Sequence, residues 1–452
     1  MTEFSFHIGI IGCGPAGLTL AIALIRRVLS GENRLHITIF ERASDHRSAA
    51  TYNPDRSYTI DITGHGLKAA RYIQSTTRFD ISLINFYGIR APFAGVEEKC
   101  FEQGWTGSRG DICRALLAEL LEISKPVSSH LHIRFETSAT IFCISKGIID
   151  VEVTGKPVIQ ERFDLIVGCD GAGSSARKIL QTQQSGFLVQ NTELSNHSTM
   201  LALDLVKGNL DPNFLYVLAP PPSMMVAGAI CGPKGKNDPL WFCQVGRSGS
   251  HTYNTFQEAY EFLSNAYPDI SKLASNEAIE TFSKREAMPT GRAKQCSSLH
   301  GGKVALLGDS GAPFPPFGQG VNAAMESATI LDTCIGKMLT RVNGKTSFST
   351  MDIETILQEY TSIWLPEAKA AREIALSLDL EQSLFVTIKA RLYMWLGVSA
   401  LSNSKDARLT YLQALQIEKR ADKRIISLGI ASLFAVVAVA VSAAAVIIIR
   451  KQ

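Results

Sequence analysis

Val304-Ala-Leu-Leu-Gly308-Asp309-Ser-Gly-Ala-Pro-Phe-Pro-Pro316-Phe317-Gly318-Gln319-Gly320-Val321-Asn322-Ala-Ala-Met-Glu326 is the stretch from which the rest of the chain can be read. An apolar strand runs into Gly308-Asp309, a proline-rich turn follows, and Gly318-Gln319-Gly320 opens a helix of small residues. One short loop therefore holds a carboxylate and bare backbone amides. The glycines let another molecule approach the backbone closely, and the N–H groups at a helix N-terminus favour an electron-rich neighbour. On its own, such a loop is also ordinary punctuation between a strand and a helix.

Two upstream segments make the plain reading insufficient. Phe6-His7-Ile8-Gly9-Ile10-Ile11 reads as a buried strand, Gly12-Cys13-Gly14-Pro15-Ala16-Gly17 as a tight turn, and Leu18 to Val28 as a helix. A second strand, His36 to Phe40, ends on Glu41, followed by Arg42. An acid 24 positions past Gly17, at the carboxyl end of a strand, suits a ribose hydroxyl. Gly12 makes the turn, Gly14 admits a pyrophosphate to the backbone, and Gly17 allows tight helix–strand contact. Further on, Asp164-Leu-Ile-Val-Gly168-Cys-Asp170-Gly171-Ala-Gly173-Ser-Ser-Ala-Arg177 delivers a second acid and glycine to a strand end. Its serines and Arg177 suit a pyrophosphate or an approaching nicotinamide nucleotide. Together the three segments suit a flavin nucleotide, with Asp309 accepting from ribityl hydroxyls and Gly318 to Asn322 facing the ring.

In this order and at these separations, the three segments resemble the class A flavoprotein monooxygenases, the single-component aromatic hydroxylases built like para-hydroxybenzoate hydroxylase. Arg56-Ser57-Tyr58-Thr59-Ile60 resembles the family's strand after the first crossover, and Ser108-Arg109-Gly110-Asp111 its arginine-led helix. Lys294 to His300 and Pro316-Phe317-Gly318-Gln319-Gly320-Val321-Asn322 match most closely. The resemblance implies FAD and NADPH as cofactors, with O₂ and a small aromatic molecule as substrates. It gives Gly12, Gly14, Ala16, Gly17 and Glu41 to the adenosine half of FAD, Arg109, Asp309 and the 318–322 loop to the flavin half, and counts Arg42 and Arg56 among the cofactor-binding residues. Asp170, Gly171 and Arg177 would serve both nucleotides. In the family, NADPH reduces the flavin and a flavin hydroperoxide oxygenates an electron-rich aromatic carbon. No metal or amino-acid nucleophile is needed, and no zinc spacing or Ser/His/Asp set is found in this sequence.

Two departures bear on the substrate. Ser310-Gly311-Ala312-Pro313 stands where the family usually carries small residues and then a histidine. Members that take an amino-acid substrate grip its carboxylate with an arginine and a tyrosine before the Arg109-type helix. Here Asn85 to Gly95 is shorter and offers Arg90, without a clear tyrosine beside it. Arg90, Pro316, Phe317, Gly318 and Asn322 are the candidates for the reacting end of the site. Gly64-His65-Gly66 mimics a second dinucleotide turn, but no acid-ended strand stands about 20 residues beyond Ala69 and the nine cysteines contain no Cys-x-x-Cys, so it reads as a turn into a helix. An epoxidase or hydroxylase of an isoprenoid, or a non-oxygenating FAD oxidoreductase, stays open at this point.

With 452 residues, 46% of them hydrophobic, the chain can bury a sizeable core. A net charge of +3 gives no support for nucleic-acid binding. The expected class is α/β: a Rossmann-like FAD-binding domain with an antiparallel β substrate domain, a C-terminal helical region and one transmembrane helix. The expected division is 1–184 for FAD, with part of the substrate region near 70–100, then 185–290 for the substrate sheet and 291–340 for the flavin and ribityl segment. Residues 341–424 form the helical region. Ile425 to Ile449 is 25 residues without a charge, bracketed by basic residues, which at about 1.5 Å per residue would span a bilayer. Sequence alone therefore predicts a single-pass tail anchor contacting membrane lipid, with a cytosolic catalytic domain, in the mitochondrial outer membrane or the endoplasmic reticulum. Tyr393, Met394 and Trp395, in an apolar but charge-interrupted tract, are read as core packing or as lining for the site.

Overall fold

The computed structural model describes residues 5–48, 58–206, 208–341, 349–377, 389, 392–394 and 396–425. It begins with β1 (Phe6–Ile11), α1 (Pro15–Leu29) and β2 (Leu35–Phe40). β1 is buried along almost its whole length, as a strand covered on both faces of a parallel sheet must be. Next come β3 (Ile60–Ile62), α2 (His65–Tyr72), α3 (Thr76–Ser82), β4 (Ile84–Ala91), β5 (Val96–Gly107) and α4 (Arg109–Ser124). β6 (Leu131–Arg134) is followed by an antiparallel three-stranded sheet of β7 (Thr137–Cys143), β8 (Ile148–Val153) and β9 (Ile159–Arg162). β10 (Leu165–Gly168) and α5 (Ser175–Gln183) complete the first half.

The second half carries β11 (Val189–Thr192), β12 (Asn196–Ala202), β13 (Phe214–Ala219), β14 (Met224–Gly232) and β15 (Gly235–Ser248). After them lie α6 (Phe256–Ala266), α7 (Asn276–Ser283), β16 (Met288–Pro289), β17 (Ala293–Cys296), β18 (His300–Gly301) and β19 (Val304–Leu306). The long helices α8 (Gly320–Arg341) and α9 (Thr350–Leu376) follow, then a short α10 (Ala400–Asn403) and helical residues 411–425.

Two sheets position the site. The first has the order β18-β19-β10-β1-β2-β6, parallel except for β18, and brings the ends of β1, β10 and β19 side by side. Those ends lead into the three segments singled out in the sequence. The second sheet has the order β16-β12-β15-β14-β13-β4-β5-β3, so strands from 60–107 join strands from 196–289. Its β13–β4 pairing is parallel, with Tyr216 opposite Arg90, and the remaining pairings are antiparallel. α1 and α8 are clamped together by Arg27, whose Nε and Nη2 each donate to an oxygen of the buried Asp332 at 2.7 Å. The Tyr72 hydroxyl donates to the same carboxylate at 2.5 Å. A two-point guanidinium–carboxylate match of this kind fixes orientation as well as distance.

The structure corrects the sequence reading at the C-terminal end. Among the described residues no helix is long and apolar enough to cross a membrane. The longest, α8 and α9, carry Glu326, Asp332 and Lys337, and Glu359, Glu367 and Arg372, charges that would be costly in hydrocarbon. The transmembrane helix is therefore removed from the fold description, and with it the single-pass anchor, the lipid contact and the two membrane locations. Residues 426–449, on which that expectation fell, lie outside the described residues, as does Trp395. Tyr393 is buried and donates to Asp422 at 2.6 Å, whereas Met394 is exposed.

Candidate active site

The first turn is built by sterics. Gly12 has φ +109°, and a Cβ there would lie 2.4 Å from the carbonyl oxygen of Cys169, the residue that follows β10. At Gly17 a Cβ would lie 2.2 Å from the Gly12 carbonyl oxygen. Only glycine lets strand, turn and helix pack this closely. α1 starts on Gly14 with Pro15 at its first position and no side-chain cap, so its leading N–H groups stay free for an anion. Ala16 is buried in that first turn. Glu41 accepts from the Cys13 N–H through one oxygen and from the Ala43 N–H through the other, both at 2.9 Å, and this pins the turn to the end of β2. Arg42 is exposed beside it, and Arg56 lies outside the described residues.

Arg109 reaches across this turn. Its Nη2 lies 3.0 Å from where a Gly14 Cβ would be, so the bare backbone of Gly14 faces a guanidinium. The nearby Cys113 raises the Arg109 pKa, burial opposes this, and Glu41, Tyr58 and Asp309 add to the rise. Arg109 thus stands between the two acids assigned to opposite halves of the nucleotide. Its helix is fixed by a reciprocal cap: Ser108 Oγ accepts from the Asp111 N–H, and Asp111 accepts from the Ser108 N–H at 2.7 Å. Asp111 also accepts from the Cys231 N–H at 3.2 Å, tying α4 to the second sheet.

Asp309 sits in a helical turn just after β19. Burial pushes its carboxyl up to about 6, with Arg109 and Arg177 acting in the opposite direction. Asp309 and Arg109 are solvent-accessible although protein encloses them on most sides, as groups on the floor of an open cleft are. Gly318 is exposed nearby with φ +81°, and Pro316 is exposed as well. Phe317 is buried and packs on Phe314, while Gly320 and Val321 are half-buried at the start of α8.

Several candidates hold the protein to itself. Asn322 is fully buried; its amide donates to the carbonyls of Asp61 at 3.0 Å and Gly318 at 2.8 Å and accepts from the Thr63 N–H at 3.0 Å. Gln319, also fully buried, donates to Thr63 Oγ1 at 3.3 Å and accepts from the Tyr411 hydroxyl at 3.2 Å. Asp170 accepts from the Ser175 and Ala176 N–H groups and from Ser310 Oγ, and Ser310 Oγ accepts from the Gly171 N–H at 3.0 Å. Arg177 donates to the carbonyls of Asp309, Ser310 and Ala172, and burial lowers its pKa. Arg90 is engaged by Glu97 at 2.8 Å, by the Tyr216 hydroxyl at 3.2 Å and by the face of Phe214 at 3.6 Å. Tyr216 is thus the tyrosine beside Arg90 that local sequence did not identify.

Other groups were not singled out in the sequence. Asp61 is buried, with one oxygen 3.2 Å from where a Gly318 Cβ would lie. His65 lies 2.6 Å from Glu326 and stacks on Tyr411 with ring centroids 4.0 Å apart. The only local signal for Asp61 was an acid between two isoleucines. Gly66, part of the second glycine turn, has a packing reason instead: a Cβ there would lie 2.0 Å from Asn322 Oδ1.

The residues fit FAD: an uncapped helix N-terminus faces a guanidinium, and a second cation-flanked acid lies in the same cleft. Comparison with known proteins bears on the same segments. A family model described as FAD binding domain matches residues 133–354, and one described as FAD-NAD(P)-binding matches residues 9–65. The chain is similar to the class A flavoprotein monooxygenases, and these matches support an FAD-dependent aromatic monooxygenase. Its curated relatives include the kynurenine 3-monooxygenase of Candida albicans, 24% identical over 94% of this chain and 93% of that protein. The kynurenine 3-monooxygenase of Christiangramia forsetii is 26% identical over 83% and 80%. Among solved structures, a flavin-dependent brominase matches with TM-score 0.64 at 14% identity, covering 93% of this chain and 99% of its own. A tetrameric 2-methyl-3-hydroxypyridine-5-carboxylic acid oxygenase matches with TM-score 0.58 at 16% identity, over 82% and 90%. At such identities these two structures speak for the fold alone.

Proposed function

We propose that the chain hydroxylates an aromatic amine of the kynurenine type, with FAD held between the β1–α1 turn and the Asp309–Gly320 segment. The observation that carries this reading is the position of Arg109, which faces the Gly14 backbone and interacts electrostatically with both Glu41 and Asp309. Bound FAD, reduced by NADPH, supplies the chemistry that activates O₂. The protein binds and orients. The leading amides of α1 would hold the pyrophosphate, Glu41 the ribose and Asp309 the ribityl hydroxyls. Arg109 would neutralise charge at the centre, and the open backbone at Gly318 would admit the ring system. Asn322, Gln319, Asp170 and Arg177 act behind these contacts by fixing the loops, and Phe317 helps keep water out. Arg90 with Tyr216 is the candidate grip for a substrate carboxylate, once Glu97 yields it.

The division of the chain into FAD-binding parts 1–184 and 291–340 around a substrate sheet at 185–290 belongs to the same proposal. It is supported by the separation into two sheets, one holding β1, β10 and β19 and the other β12 to β16, the second also taking in β3 to β5 from 60–107. The relatives that match over most of the chain are aromatic hydroxylases, which leaves the isoprenoid and non-oxygenating readings without support. The test is NADPH oxidation by flavin-loaded protein with L-kynurenine, scoring hydroxylated product against hydrogen peroxide. Product in step with NADPH is expected. Peroxide alone from kynurenine and from other anilines and phenols would overturn the reading.

A further inference from the structure

Asp61 stands on β3, the edge strand of the second sheet, between Ile60 and Ile62. It is 8% exposed, and among the described residues the Thr63 hydroxyl donates to it at 3.0 Å while no cation lies within ion-pair distance. Its other oxygen faces Gly318, the exposed glycine in the loop that would border the flavin ring. A side chain at Gly318 would fill the space beside that oxygen, so the absent Cβ keeps the carboxyl open to the cleft. Its position is also over-determined. Thr63 accepts from Gln319, Gln319 accepts from Tyr411, and Asn322 ties the Asp61 carbonyl to the Gly318 carbonyl. Donors from Thr63 and from its own backbone N–H leave further acceptor positions of the two-oxygen carboxyl unused, and leaving a buried carboxyl short of donors is costly. Burial raises its pKa, with Lys405 and Thr63 acting against that rise, and Cys100 lies close enough to feel its charge.

We propose that Asp61 recognises the substrate by accepting a hydrogen bond from an N–H or O–H substituent on its aromatic ring. This rests on the aromatic-hydroxylase reading above and narrows it to anilines and phenols. Acceptance by a carboxyl also pushes electron density from the substituent into the ring, which suits electrophilic attack at a neighbouring carbon. Asp61 is then a specificity residue in contact with substrate, placed there by Thr63, Gln319 and Asn322.

The test uses flavin-loaded wild type, Asp61→Asn and Asp61→Ala with two matched pairs: L-kynurenine and its analogue lacking the ring amine, and 4-hydroxybenzoate and benzoate. Binding is read from perturbation of the flavin spectrum and turnover from NADPH oxidation. In wild type the donor-bearing member of at least one pair should bind about tenfold or more tightly than its mate, as expected when one member leaves a buried acceptor unpaired. Asp61→Ala should bring the two within about threefold by weakening only the donor-bearing compound. Asp61→Asn, whose carbonyl still accepts, should fall between. Equal selectivity in wild type and Asp61→Ala, or no selectivity in wild type, overturns the proposal while the hydroxylase reading stands. Loss of flavin from both variants would make Asp61 a structural group and overturn it too. Failure of every aromatic compound to stimulate NADPH oxidation in wild type would remove the hydroxylase reading itself.

Discussion

Asp309 carries two opposite pH dependences at the residue scale. Burial raises its pKa to about 6, above the ordinary 3.8, so the folded flavin-free protein holds this proton more tightly than the unfolded chain. Stability of the flavin-free form should therefore rise as pH falls from about 6 toward 3.8. If the ionised carboxylate accepts from ribityl hydroxyls, flavin affinity should fall over the same window. Denaturant melts and flavin fluorescence titrations from about pH 4 to 8 would show both trends, and Asp309→Asn should flatten each. Gly14→Val tests the proposed pyrophosphate contact. The new side chain meets chiefly the movable guanidinium of Arg109, so flavin affinity should drop at least about tenfold while flavin-free stability changes little. These positions were legible in the sequence because their chemistry is local: a glycine turn and an acid at a strand end carry their own spacing. Asp61, Ser310 and Tyr216 were not, because each acquires its meaning from a neighbour more than a hundred residues away.

One contact between elements braces the site, and another lies far from it. Arg27 and Asp332 join the helix that begins at Gly14 to the helix that begins at Gly320, so the clamp fixes the spacing of the two loops that would embrace the nucleotide. Asp332→Ala leaves a half-buried guanidinium without its carboxylate and should cost about 3 kcal/mol by denaturant unfolding, with weaker flavin retention as a second sign. At the opposite end of the parallel sheet, His7, His36 and His130 stack in a column with centroids 5.0 and 4.8 Å apart. Burial, and then His7 and His130, lower the His36 pKa below 6.5. The unfolded chain takes up that proton first, so stability should decline as pH falls through about 6.5. His36→Gln should remove that part of the slope.

At the scale of the whole molecule, the parallel sheet was readable because its strands are continuous apolar runs ending in glycine and acid. The eight-stranded sheet was only partly so, since the expected antiparallel sheet at 185–290, with part of the substrate region near 70–100, did not include 60–62 or fix the strand order. At the C-terminal end the sequence offered only local properties, length and freedom from charge, and these do not report tertiary packing. Tyr411 shows how much depends on that packing, being fully buried, stacked on His65 and bonded to Gln319. Tyr411→Ala should cost about 3–5 kcal/mol through the cavity it leaves, and Tyr411→Phe about 1–3 kcal/mol through the unpaired Gln319, both read by denaturant unfolding. There is also a temporal side to this contact. Ribosomes add about 5–20 residues each second, so the 92 positions between Gln319 and Tyr411 take about 5–20 s to synthesise. Throughout that interval the nascent loop lacks this brace, so firm capture of the yellow prosthetic group should wait until Tyr411 has been made. Stalled nascent chains ending before and after Tyr411 should differ in protease sensitivity at this loop.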